Sequence, residues 1–359
     1  MPKPRDPARA RLTVGSWPGE SFATNDYVRV FCQALVDAGC SVFDVSDPRR
    51  LRRGIDVLHI HWPEQVFWKG GSRKRMILRS VTTLLALARL RLRGVTLVWM
   101  VHNARPHDLA GFRARLWPMI GGVLPRLVHA YMTLSPATVP IVTATYPALA
   151  RKPFAVARQP AYPPVAAPGL PDMRAAAGVP PGGRLLAMIG FLRPYKGAEE
   201  LIAAFKAAED PDGRLLIAGK ASAAYAQRLA VLAEGDGRIT ILPGLLSDDA
   251  LAAATLAADW MVLPLRTYLH SGSMIHALSM GRPVLTPRQP FAEELARTVG
   301  EDWVRLYDGP LTASALQSLR VPAGRPDLTA FAAPSMGRAV RAFYENVRSA
   351  TRRRTGAAR

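Results

Sequence analysis

Two series of short apolar runs, each run separated from the next by a helix-like stretch, constrain this chain more than any other feature. In the first half the runs fall at 11–14, 42–45, 55–60, 96–101 and 130–134. In the second they fall at 185–189, 214–218, 238–242, 260–263 and 283–286. Apolar runs of this length, joined by connections long enough to carry a helix, predict parallel strands with crossover helices. Between the two series lies AVARQPAYPPVAAPGLPDM, too rich in proline for a helix or a central strand, so a linker is expected near 157–182. The fold class is therefore α/β, with two doubly wound parallel-sheet domains at 1–165 and 175–330. Residues 331–359 form a C-terminal segment ending in the basic TRRRTGAAR.

The chain has 359 residues, enough for two hydrophobic cores, and its 49% hydrophobic content is ordinary. Its formal net charge of +20 is not, and it predicts attraction to something polyanionic: nucleic acid, an anionic membrane surface or phosphorylated substrates. The two cysteines, Cys32 and Cys40, exclude a disulfide framework and a cysteine-based metal site, and they suit a reducing cytoplasm. The first residues lack the apolar core of a signal peptide, and no stretch offers about 18 uninterrupted apolar residues. A soluble or peripheral protein is expected.

In sheets of this kind ligands sit beyond the carboxyl ends of the strands, so loops that directly follow strands hold the first candidates. The segment LLAMIGFLRPYKGAEELIAAF has Gly190 opening such a loop, with Arg193 and Lys196 within it. Arginine binds two oxygens side by side and lysine acts as a compact point charge, a pair suited to a diphosphate. About 75 residues on, YLHSGSMIHALSMGRPVLTP sets Ser271, Gly272 and Ser273 where a helix begins. Free N–H groups and the positive dipole end make that turn an anion site, although serine caps ordinary helices too.

The first half gathers acid and base groups. One strand runs into His61, Trp62, Pro63 and Glu64, another into His102, Asn103, Arg105, Pro106, His107 and Asp108, and the loop after the first strand carries Trp17, Glu20, Asn25 and Asp26. The histidine spacings give no helical pair and no H-E-x-x-H, so no metal is expected. General acid or base work suits Glu64, His102, Asp108 and His61. Plainer duties compete: His59 reads as a core histidine, and His107 with Asp108 as a helix cap.

Between these loops, FWKGGSRKRMILRSVTTLLALARLRLR mixes Trp68, Lys69, Arg73, Lys74 and Arg75 with apolar residues, like a helix lying on an anionic membrane or a crossover helix with a basic face. GFRARLWPMIGGVLPRLVHA repeats the pattern with Arg113, Arg115, Trp117 and Arg126.

With these residues on the page, the chain resembles the GT-B glycosyltransferases, whose two Rossmann-like domains face each other across a cleft. GFLRPYKG at 190–197 is similar to their donor diphosphate loop, and ALSMGRPV at 277–284 to their A-M-A-x-G-x-P-V segment. The resemblance implies that Arg193, Lys196, Ser271, Gly272 and Ser273 hold the donor diphosphate. Gly219, Lys220, Pro243, Leu245 and His276 would meet the nucleoside, and residues 331–359 would form a helix crossing back to the first domain. Trp17, Glu20, Asn25, Trp62, Asn103 and His107 are the expected acceptor contacts. Retaining members carry two glutamates where this chain has Tyr268 and His276. HWPE, VHNARPH and YLHSGS are instead similar to bacterial glycosyltransferases of exopolysaccharide assembly, including xanthan-type GDP-mannose:glycolipid β-mannosyltransferases.

The resemblance thus implies a hexosyltransferase, peripheral on the cytoplasmic face of the plasma membrane. It would move a sugar from a nucleotide diphosphate, GDP-mannose first, to a lipid-linked oligosaccharide, with inversion, with no cofactor and independently of metal. UDP-glucuronate or UDP-glucose as donor, and a retaining course, are the alternatives within the class. Asp248 and Asp249 follow Ser247 as a helix start does, so they make no D-x-D metal motif. A basic nucleic-acid-binding protein or a membrane-associated scaffold is the reading from another class. Nucleic acid is not expected as a partner, because the aromatic and basic residues fall on apolar helices rather than stacking platforms.

Overall fold

Strands whose two faces are both covered by crossover helices must be apolar throughout, and the continuous apolar runs of this sequence become such strands. The computed structural model describes residues 11–18, 26–51, 54–68, 71–106, 109–163, 165 and 169–356, apart from the side chains of 26 and 354–356. They divide into two units, 1–160 with 331–359, and 161–330.

The first unit contains β1 (Thr13–Trp17), α1 (Asp26–Asp37), β2 (Ser41–Asp44), β3 (Val57–Ile60), α2 (Pro63–Phe67), α3 (Arg73–Leu92), β4 (Thr96–Met100), α4 (Phe112–Leu127), β5 (Ala130–Thr133), α5 (Val139–Thr145) and β6 (Phe154–Val156). Its sheet is parallel throughout, in the order β2-β1-β3-β4-β5-β6. Every residue of β3, β4 and β5 is buried. The strand order reverses between β1 and β3, which makes their carboxyl ends the switch point where ligands of doubly wound sheets settle.

The second unit contains α6 (Met173–Ala176), β7 (Leu185–Ile189), α7 (Ala198–Lys206), β8 (Arg214–Gly219), α8 (Ala223–Ala233), β9 (Ile239–Pro243), α9 (Asp248–Ala257), β10 (Trp260–Val262), α10 (Gly272–Ser279), β11 (Val284–Pro287), α11 (Pro290–Val299), β12 (Val304–Tyr307) and α12 (Ala313–Gln317). Its parallel sheet runs β12-β11-β10-β7-β8-β9, with the switch point between β7 and β10. Side-chain oxygens of Ser222, Ser247, Ser271 and Thr312 each accept a backbone N–H in the first turn of the helix they precede. Asp248 and Asp249 fall in the first turn of α9, where carboxylates complement the helix dipole.

The last helix, α13 (Ala333–Gly356), packs on α1 in the first unit. A Cβ at Gly337 would lie 2.1 Å from the carbonyl oxygen of Ala34, so only glycine lets the two helices approach this closely. Tyr344 is fully buried beneath the sheet, and its hydroxyl lies 2.6 Å from His59 Nδ1. Arg348 pairs with Asp56, whose other oxygen accepts the Thr13 N–H at 3.0 Å. His59 is thus a core residue, held uncharged by burial first and by neighbouring His61 second.

Candidate active site

Each switch point carries a cluster of polar side chains. In the second unit, the loop after β7 and the start of α10 come together because β7 and β10 are neighbours in the sheet. A Cβ at Gly190 would sit 3.8 Å from Ser273 Oγ. Gly190 N–H donates to the Ala218 carbonyl at 3.0 Å, and Leu192 N–H to that of Lys220 at 2.8 Å, so the ends of β7 and β8 are laced together. Gly219, at φ 142°, approaches so closely that its Cβ would fall 1.7 Å from the Gly190 oxygen. Gly197, at φ 79°, fits against Pro264, where a Cβ would meet the carbonyl oxygen at 2.6 Å. The glycines of this loop are thus backbone requirements.

Arg193 and Lys196 stand on that loop with no carboxylate partner among the described residues. Burial pushes the Lys196 ammonium down to about 8, helped by the positive charge of Arg193. Two unneutralised cations in a partly desolvated loop suit a diphosphate. Ser271 is 6% exposed, and its hydroxyl is occupied by the Met274 N–H at 3.3 Å. What the turn offers an anion is therefore the amide edge of Gly272 and Ser273 rather than the Ser271 side chain. Gly219 pairs in register with Pro243, and Gly244 N–H donates to the Gly219 carbonyl at 3.0 Å, which brings Lys220 and the exposed Pro243 and Leu245 to the same edge. His276, one turn along α10, packs edge-on against Tyr162 at 5.4 Å.

In the first unit the strand ends assemble a hydrogen-bonded file. Ser16 Oγ lies 3.2 Å from His61 Nε2, and His61 Nδ1 lies 3.2 Å from His102 Nε2. Trp62 stacks on His102 with ring centroids 3.9 Å apart, and Tyr27 meets His102 edge-on at 5.1 Å. His61, expected as a catalytic group, has both nitrogens occupied, is 1% exposed, and is driven by burial down to about 3. It links Ser16 to His102 and is too weak a base to take a proton near neutrality.

Glu64, in the first turn of α2, lines a small pocket with Trp62, Trp99, His102, Asn103 and Trp117. Burial raises its carboxyl from 4.5 to about 7, outweighing the opposing pull of its own backbone N–H. A carboxylate with that proton affinity is suited to general base work at neutral pH. Trp17, expected at the acceptor, is instead fully buried, because its ring packs edge-on against Phe67 of α2 at 6.4 Å. Trp62 and Asn103 keep partial exposure. Glu20, Asn25, Lys69, His107 and Asp108 lie outside the described residues.

In the basic stretch, Phe67 ends α2 and residues 73–92 form the single helix α3. Trp68, expected at a membrane surface, packs on Trp117 at 6.2 Å, with the Arg113 guanidinium 5.2 Å above its ring. Arg73 lies over Phe112 at 5.7 Å. Lys74 and Arg75 are exposed, and so are Leu78 at 64%, Leu85 at 63% and Leu92 at 87%. Residues 74, 78, 81, 85, 89 and 92 fall on one stripe of a 3.6-residue helix, so apolar and basic side chains share the solvent face of α3. Among the described residues, no helix is long and apolar enough to cross a membrane, and no three His, Cys, Asp or Glu side chains are grouped so that they could hold a metal ion.

Sequence reasoning passed over Ser16, Tyr344 and Tyr146. The Tyr146 hydroxyl donates to the Ala104 carbonyl at 2.7 Å, and burial, with the Glu64 charge second, keeps that hydroxyl protonated. A serine at the end of a strand was the one available signal for Ser16.

Comparison with known proteins agrees with this anatomy. Residues 183–316 match the family described as glycosyl transferases group 1. The chain is 31% identical over 322 residues to the GDP-mannose:glycolipid 4-β-D-mannosyltransferase of Xanthomonas campestris pv. campestris, covering 89% of this chain and 86% of that protein. Among solved structures it is similar to a sucrose-phosphate synthase from Thermosynechococcus elongatus, with a TM-score of 0.61 at 19% identity over 97% of this chain and all of that one. It is also similar to WaaG, a glycosyltransferase involved in lipopolysaccharide biosynthesis, with a TM-score of 0.56 at 14% identity over 95% of each chain.

Proposed function

Since this chain belongs to the GT-B glycosyltransferases, we propose that it transfers a mannosyl group from GDP-mannose to a glycolipid, with inversion at the anomeric carbon. The observation that carries this reading is Glu64, a carboxylate at the first unit's switch point whose proton affinity lies near neutrality. The acceptor hydroxyl attacks the anomeric carbon and gives its proton to Glu64, while the bond from that carbon to the diphosphate oxygen breaks. His102, fixed by Trp62 and by the file to Ser16, orients the hydroxyl. Arg193, Lys196 and the amides of Gly272 and Ser273 take up the charge that develops on the departing GDP, doing the work for which other transferases use a divalent ion. The Xanthomonas relative is named for a β-mannosyl product, and forming a β-linkage from an α-configured donor inverts the anomeric carbon.

The acceptor end of the reaction belongs at a membrane in this reading. The exposed leucines and cations of α3 match an interfacial helix, which buries apolar side chains at the headgroup level and attracts anionic lipid. Nucleotide sugars are cytoplasmic, so the reaction falls on the inner face of the plasma membrane, in the assembly of a lipid-linked exopolysaccharide unit. The test is incubation with GDP-mannose, UDP-glucose or UDP-glucuronate and extracted bacterial glycolipid, followed by product analysis by mass and by carbon–proton coupling at the new anomeric centre. A β-mannosyl glycolipid formed from GDP-mannose alone is expected. An α-linked product would reject inversion, and transfer from a UDP-sugar would reject the donor.

A further inference from the structure

Beside the Glu64 pocket lies a larger open groove, of about 600 Å³, between α4 and the turn at Tyr146–Ala148. It falls within the range of small-molecule sites. Trp117 forms a wall common to both, so the groove adjoins the place where the proton would be taken. Its lining is mostly apolar, with Trp117, Pro118 and Tyr146, while the charged groups in it are Arg105 and Arg126. Among the described residues no carboxylate lines it, and neither arginine has a carboxylate partner.

The helix that forms the wall departs from ordinary helix design. Pro118 and Pro125 sit inside α4 and withhold the N–H groups that the carbonyls of Ala114 and Gly121 would otherwise receive. Both of those residues line the groove. Gly121 keeps the wall low, since a Cβ there would already touch Trp117 and Tyr146 at 3.4 Å. From Ala114 to Arg126 the helix runs about 18 Å, enough for a phosphate and the first stretch of an attached chain.

We infer that this groove seats the phosphate-linked lipid end of the acceptor glycolipid, with Arg105 and Arg126 on the phosphate oxygens and the lipid chain along Trp117 and Pro118. The inference rests on the transferase reading and adds to it where the acceptor binds and what chemistry it must carry. An uncharged glycolipid would leave both guanidiniums without an anion, and a free nucleotide would leave the apolar floor uncovered. The helix that carries the exposed leucines, α3, packs against α4.

The test uses the whole chain and calorimetric titration with farnesyl diphosphate, inorganic diphosphate, octyl glucoside and GDP. Two variants address the groove from different sides. Arg126→Glu reverses one charge, and Gly122→Leu fills the space from a helix position where a new Cβ meets nothing closer than 3.7 Å. The second replaces an interior helical glycine by a better helix former, so it keeps the fold. Farnesyl diphosphate should bind the wild type at least tenfold more tightly than inorganic diphosphate, and each variant should lose at least tenfold of that affinity while GDP binding stays unchanged. Unchanged farnesyl diphosphate affinity in both variants would overturn the inference. Equal binding of inorganic diphosphate, lost in the same variants, would make the groove a free-phosphate site, and equal competition by octyl glucoside would remove the role of the arginines. Failure of GDP to bind the wild type would strike at the transferase reading, while the farnesyl diphosphate arms would still decide the groove.

Discussion

Replacing Glu64 by glutamine should make the protein more stable at alkaline pH and remove its activity, two effects with one cause. Burial lifts the carboxyl from 4.5 to about 7, which corresponds to about 3 kcal/mol in favour of the protonated form. Glu64 keeps part of its surface toward solvent, so about 2 kcal/mol is the fairer figure. The folded chain holds this proton more tightly than the unfolded one, so stability falls as pH rises from 4.5 through 7 and the full cost is felt above 7. Glutamine bears no such cost. At pH 8 the variant should melt about 4–8 °C above the wild type, and at pH 4.5 the two should coincide. Over the same range wild-type kcat/KM should rise with an apparent pKa near 7, and the variant should lose about 10²–10⁴-fold. Melting curves at pH 4.5 and 8, run beside a transfer assay, supply both readings. Equal melting of the two proteins at pH 8, or a variant that keeps its rate, would refute the argument.

The loop after β7, proposed to hold the donor diphosphate, gives a titration of its own. Lys196, at about 8, must be charged to hold a diphosphate, so GDP affinity measured by calorimetry should weaken as pH rises through 8. Lys196→Ala should bind more than tenfold less tightly, with that pH dependence gone. Gly219→Ala forces a Cβ to within 1.7 Å of the Gly190 oxygen, a backbone clash costing about 2 kcal/mol or more, and denaturant unfolding should show it. On α3, the double change Leu78→Asp and Leu85→Asp should lower binding to anionic vesicles more than tenfold without altering the melt, because both side chains are exposed; sedimentation with the vesicles reads it directly.

The sequence carried the two sheets because strands buried on both faces must be apolar along their whole length, as Leu185–Ile189 is. It missed β6 and β12 for the converse reason. Both are edge strands: β6 is only three residues long, and Arg305 breaks the apolar run of β12. The loop after β7 was legible because Gly190 and Gly197 within it, and Gly219 at the end of β8 beside it, answer backbone demands that show as glycine. The first unit was harder to read. Imidazoles and carboxylates at strand ends announce chemistry, but burial decides their protonation, holding His61 uncharged and raising the Glu64 carboxyl to about 7. Trp17 reads as a binding aromatic until its packing against Phe67 buries it. Tyr344 was out of reach, since it stands 285 residues from the histidine it touches.

That distance has a consequence at the ribosome. The second unit is one continuous stretch, 161–330, and can close as soon as it emerges. The first is interrupted, and its missing piece is α13. At about 5–20 residues per second, roughly 10–40 s pass between the synthesis of Pro160 and that of Tyr344. Throughout that interval Phe31 and Leu35 lack part of the apolar cover that Val340 and Tyr344 later bring, and Asp56 waits for Arg348. The nascent chain therefore carries a finished domain behind an unfinished one, and the half that holds Glu64 is the last to become protease-resistant.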